Sequence, residues 1–158
     1  MFRFSAILSN AFVLSLFLPM VVAAGGNSGG QAATMVIRAM SLGEIAPGTA
    51  LRIASKEIRT GLLLGLSLGL CMAVFIIFLL PRFNHEPPSF GFLRLALSVA
   101  VALTTQVLSA TILGALLPLG ARAIKLDPAV VSAPSLASIV DVSGMVIYFT
   151  TAGAILGI

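Results

Sequence analysis

The chain has 158 residues, 59% of them hydrophobic and only 9% charged, with a mean hydropathy of +1.14. A water-soluble domain carries about 25% charged residues, so this chain was not built for water; its length suits one domain, residues 1–158, with four or five spans of about 20 residues each. The formal charge of +4 does not mark a nucleic-acid partner, because the basic residues are scattered at segment ends and no aromatic stacking platform accompanies them.

Absence of charge, save for one aspartate in the last, marks four segments long enough to span a bilayer: residues 4–37, 60–80, 95–121 and 128–158. Period-2 alternation is missing and Leu, Ala, Val, Ile and Gly dominate, which predicts helices rather than barrel strands. The fold class expected is therefore all-α: a polytopic helical membrane protein of about four transmembrane helices.

The first segment opens like a secretory signal, with Arg3, an apolar core through Val22 and small residues ending at Ala24. Pro19 interrupts that core, however, and the uncharged stretch continues to Ile37, which argues for a retained span. Within it lies Gly25-Gly26-Asn27-Ser28-Gly29-Gly30-Gln31, which predicts a Gly-interrupted first helix. Glycine permits close backbone approach and can leave carbonyls facing a cavity. Helix breaks at membrane depth persist only where buried or lining water, and they often bind ions. Asn27 and Gln31 lie four apart, so on a helix their amides share a face. The run lacks the Gly-Lys-Ser/Thr ending of a phosphate-binding loop.

In the second segment Gly61, Gly65 and Gly69 recur every fourth residue, a stripe that lets another helix approach closely. Cys71 has no disulfide partner within the chain and reads as packing. His85 stands in a polar turn with no second His or Cys nearby, so it suggests no transition-metal site. In the third segment Ser98, Ala102, Thr105 and Ser109 fall near one helical face, and Gln106 is expected to point to another helix.

The fourth segment holds Asp141, its only formally charged side chain. A carboxylate at membrane depth is costly and usually faces a water-filled path or a bound cation. Ala137, Ser138, Gly144 and Tyr148 are expected on its face. One carboxylate is a poor cage for a divalent ion, but a two-fold axis would set two across a pore. Mg²⁺ sheds its waters reluctantly, so two aspartates could hold the hydrated ion, with Asn27 amides and backbone carbonyls completing the ring. A site that holds the waters also permits release.

Six basic residues (Arg38, Arg52, Lys56, Arg59, Arg122, Lys125) surround the first and third connections, against three (Arg3, Arg82, Arg94) at the N-terminus and second connection. This bias predicts that the first and third connections are cytoplasmic and both termini external.

Three segments together resemble the membrane domain of the MgtE family of magnesium channels and transporters: residues 25–34 (GGNSGGQAAT), residues 126–134 (LDPAVVSAP) and residues 140–144 (VDVSG) followed by Ile147-Tyr148-Phe149. The resemblance spans nearly the whole chain. It implies a homodimer in the lipid bilayer of the cell inner (plasma) membrane, with a central pore for Mg²⁺, the transported ion. It implies that Asp141 holds hydrated Mg²⁺, that Asn27 lies along the same path, and that Asp127 belongs to a metal site at the cytoplasmic end. Ala133 stands where some members carry an asparagine, which implies one side-chain ligand fewer. The family's soluble N-terminal domains, linking helix and first membrane helix have no counterpart in these 158 residues, so its magnesium-sensing gate is expected to be missing, or the front to come from a separate chain.

The reading is thus a Mg²⁺ channel or carrier and not an enzyme, since no bond is made or broken. The alternative is a non-conducting membrane assembly subunit, or half of a split transporter that needs a partner chain. Conduction requires Asp141, whereas an assembly role tolerates Asn there.

Overall fold

The computed structural model describes residues 2–45, 50–83 and 88–157, with side chains for 12–45, 52–83 and 88–157. His85 lies outside the described residues. The chain forms α1 (Phe2–Ser41), α2 (Ala50–Val74), a π turn (Phe75–Leu79), the short α3 (Leu80–Phe83), α4 (Gly91–Ala123) and α5 (Pro128–Leu156). Among the described residues four stretches are long and apolar enough to cross a membrane: Phe12–Ser41, Arg52–Phe83, Gly91–Ala123 and Pro128–Leu156. The all-α fold class with four spans therefore stands.

The helix ends follow local chemistry. α1 stops at Gly43, whose φ of 71° suits a residue without Cβ, and the Glu44 N–H returns to the Ala39 carbonyl at 3.0 Å. α5 starts on Asp127, whose Oδ1 accepts from the Ala129 N–H at 2.9 Å, with Pro128 in the first turn. The π turn precedes Pro81, which has no N–H to continue the ladder, and the Leu80 N–H bonds Phe75 O instead.

α4 is the central element and packs against α1, α2 and α5. It buries residues on several sides, among them Leu95, Val99, Leu103, Val107 and Ala110. The glycine stripe of α2 meets it as expected, and the contact is within one chain. A Cβ at Gly65 would come within 2.9 Å of Thr104 O, one at Gly69 within 2.9 Å of Ala100 O, and one at Gly61 would collide with Thr111 Oγ1. The Thr104 hydroxyl reaches across to Gly65 O at 3.0 Å. The outer side of α2, with Leu63 and Leu70, stays exposed. Cys71 is exposed as well, so it does not pack in the core.

The hydroxyl face expected on α4 divides by depth. Ser98 is fully buried and Thr105 exposed, while the Ser109 hydroxyl donates to Gln106 O at 3.0 Å. These three side chains share no continuous path.

Candidate functional site

The Gly-rich run of α1 does not break the helix: α1 is continuous from Phe2 to Ser41. The run instead divides into two faces. Gly25 and Gly29 are buried against α4, where a Cβ at Gly25 would strike the Gln106 side chain at 2.6–3.0 Å and one at Gly29 would lie 2.8 Å from Ala110 O. Gly29 meets Gly114 of α4 backbone to backbone. Gly26 and Gly30 face open space, and exposed Asn27, Gln31 and Thr34 lie beside them. The expected interruption is absent because α4 offers its own small residues, Ala110 and Gly114, so the helix is buttressed where its propensity is weakest.

α5 meets both α4 and α1. The fully buried Gln106 donates from Nε2 to the carbonyl of Val140 at 2.9 Å, as its expected direction toward another helix requires. The Ser143 hydroxyl donates to the same carbonyl at 3.2 Å. Farther along, the Tyr148 hydroxyl donates to Leu14 O at 2.7 Å. That carbonyl is one residue before Ser15 O, which Pro19 leaves without its helical N–H partner. A Cβ at Gly144 would touch Val22 at 3.0 Å, and Ala33 clusters with Leu136 and Val140.

Residue 14 with 148 and 22 with 144 set α1 and α5 antiparallel, and Ala33 farther along α1 shares a cluster with the earlier Leu136 and Val140 of α5. Asn27 therefore stands at the level of Val140 and Asp141. Both Asn27 and Asp141 are exposed. Asp141 sits near the middle of α5, among exposed Val142, Met145 and Phe149. Among the described residues nothing donates to its carboxylate and no cation pairs with it.

Two residues expected on the face of Asp141 point elsewhere. Ala137 and Ser138 are exposed as it is, but Gly144 and Tyr148 are buried. The buried residues of α5 are Ser132, Leu136, Val140, Gly144, Tyr148, Ala152 and Leu156, a strict four-residue step. At 3.6 residues per turn such a stripe drifts about 40° per step. The stripe thus turns gradually around α5 while it packs against both α1 and α4, with Leu136 beside Ala33 and Ala110 and Tyr148 reaching Leu14, and a helical wheel centred on Asp141 misassigns the later turns. The four-residue recurrence of small or apolar residues was the signal for this.

Asp127 belongs to a different place. It caps α5 about 21 Å along the axis from Asp141, at 1.5 Å per residue. A cleft of about 250 Å³ there is lined by Ile37, Met40, Ser41, Arg122 and Asp127. Among the described residues no group of three or more His, Cys, Asp or Glu side chains could enclose a metal ion. Asp141, Asn27 and Asp127 thus form no single-chain metal cage: two share a level on open faces, and the third lies at the helix end.

Residues 18–151 match the family model described as MgtE, divalent cation transporter. Among curated proteins, the chain is 33% identical over 153 residues to a magnesium transporter MgtE of Thermus thermophilus, covering 97% of this chain and 32% of that protein. It is 29% identical over 151 residues to a magnesium transporter MgtE of Bacillus subtilis, covering 96% and 31%. It is 25% identical over 150 residues to one of Enterococcus faecalis, covering 95% and 31%. The chain spans about a third of the length of these relatives. With four helices fit to span and a match that takes in both the Gly-Gly-Asn and Asp-Val-Ser-Gly segments, the chain belongs to the MgtE divalent cation transporter family.

Proposed function

We propose that this chain moves Mg²⁺ across the plasma membrane through a pore on the two-fold axis between two copies, with an Asp141 from each holding the hydrated ion. The observation that carries this reading is Asp141 itself: exposed, unpartnered among the described residues, and midway along a spanning helix. An aspartate at the centre of a membrane helix costs about 3 kcal/mol on insertion scales. An interhelical hydrogen bond in a membrane averages only about 0.6 kcal/mol, and here the carboxylate has none from the described residues. Facing lipid, Asp141 has nothing to offset that cost; facing water and a cation, it does.

The relatives named as magnesium transporters support Mg²⁺ as the cargo. Mg²⁺ gives up water reluctantly, and two carboxylates facing each other suit its hydration shell. Asn27, at the same level, adds an amide to the path, and the bare backbone at Gly26 and Gly30 keeps that path wide. Asp127 stands at the far end of the same helix, where it would meet ions entering or leaving. No catalytic step is involved.

The experiment is Mg²⁺ uptake into liposomes containing this chain alone, read with an internal Mg²⁺ indicator. Uptake above that of protein-free liposomes is expected. Uptake only after a second chain is added would favour an assembly or split-transporter role.

A further inference from the structure

Between the end of α1 and the start of α2 lies a cleft of about 540 Å³ that the transport reading does not use. Three cations line it: Arg38 from α1, and Arg52 and Lys56 from α2. Glu44 and Glu57 line it too, yet among the described residues neither carboxylate forms an ion pair with a cation. Three cations against two carboxylates leave the cleft with a net positive charge, with Arg59 one turn farther along α2.

Its position is as informative as its charge. Arg38 stands in the last turn of the first span, and Arg52 opens the second. Consecutive helix ends lie on one side of the bilayer, so the cleft sits where hydrocarbon gives way to headgroups. Its remaining walls are apolar, with Met35, Val36, Leu42 and Ile53. On α2, Arg52, Lys56, Arg59, Leu63 and Leu70 fall along one helical stripe. Leu63 and Leu70 are 70% and 67% exposed, so the cationic end continues directly into an uncovered greasy surface.

We infer that this cleft is a binding site for the phosphate headgroup of an anionic membrane lipid, whose acyl chains lie along the exposed leucines of α2. A phosphodiester supplies the single negative charge that three cations and two carboxylates leave unmet, and basic pockets between membrane helices are suited to such headgroups. A free anion satisfies the cations but leaves the leucine strip unused, which selects the lipid over soluble phosphate. The inference is independent of Mg²⁺ transport, and its test reads no flux.

The purified full chain is incorporated into phosphatidylcholine vesicles containing phosphatidylglycerol, re-extracted in mild detergent, and its retained lipid measured by mass spectrometry. The wild type should retain phosphatidylglycerol in preference to phosphatidylcholine. Joint Arg52→Gln and Lys56→Gln replacement should lower that retention roughly tenfold or more, as loss of two interfacial charges implies. Joint Arg82→Gln and Arg94→Gln replacement, which removes equal charge at the other end of the spans, should leave it unchanged. Glu44→Gln should raise retention, which keeps the test decisive if the double variant folds poorly. Equal loss in the Arg82 and Arg94 control, no loss in the cleft variant, or displacement of the lipid by inorganic phosphate alone would each overturn the site.

Discussion

The side-chain amide of Gln106 donates to the carbonyl of Val140 at 2.9 Å, one residue before Asp141. This bond ties the central helix to the turn that carries the carboxylate. Gln106 Oε1 is buried and has no partner among the described residues, so only the donor half of the amide contributes. Gln106→Leu keeps most of the volume and removes the bond. A destabilisation of about 1 kcal/mol is expected, with Mg²⁺ flux falling more than thermal stability because the level of Asp141 is no longer pinned. Thermal unfolding in detergent beside liposome uptake checks this; unchanged flux with lowered stability would show a purely structural bond.

The glycines separate into positions that tolerate a methyl group and positions that do not. Gly65→Leu should disrupt the α2–α4 contact, since even a Cβ would lie 2.9 Å from Thr104 O; overpacking of this kind costs about 1–3 kcal/mol or more. Gly29→Ala should behave similarly, whereas Gly26→Ala and Gly30→Ala meet nothing within 4 Å and should fold normally. Yield and thermal midpoint of the four variants give the answer. Normal stability of Gly65→Leu would show that the stripe does not carry the packing.

Tyr148→Phe removes the hydroxyl that donates to Leu14 O. The ring still fills its buried place, so a loss of about 1 kcal/mol is expected, without loss of membrane insertion. An unchanged thermal midpoint would mean that the bond adds nothing to holding α1 against α5.

The proposed dimer places the exposed side of α5 against a second copy. Met145, one turn from Asp141 and 45% exposed, is a suitable probe. With Cys71 replaced, Met145→Cys should cross-link to a second chain in membranes under mild oxidation, while Leu63→Cys on the outer side of α2 should not. Cross-linking at position 63 alone would mean that the two-fold axis runs beside α2 instead.

The membrane topology expected from the basic residues can be read by thiol labelling of Cys71-free protein. Arg52→Cys should label from the cytoplasmic side and Arg82→Cys from outside. The opposite pattern would invert the orientation.

The four spans were legible because charge is excluded from hydrocarbon, and a gap between charges marks a span with little ambiguity. The α2 glycine stripe was legible for a similar reason, since three glycines at a fixed step serve close approach. The central position of α4 was not: its apolar residues run round the whole helix, so its sequence offers no preferred face. The intact helix at Gly25–Gly30 was hidden because local propensity argues for a break, and the support comes from Ala110 and Gly114, some 80 residues later. Asp141 could be singled out from charge alone, whereas its neighbours could not be, because the direction of Gly144 and Tyr148 depends on how α5 crosses α4 and α1.

The most direct measurement of the central claim is Mg²⁺ uptake by Asp141→Asn protein in liposomes, set beside wild type reconstituted in equal amount. The substitution preserves size and removes the charge, and on a two-fold pore both charges vanish together. Uptake should fall to the level of protein-free liposomes while helicity and membrane insertion are retained. Undiminished uptake by the folded variant would contradict the account.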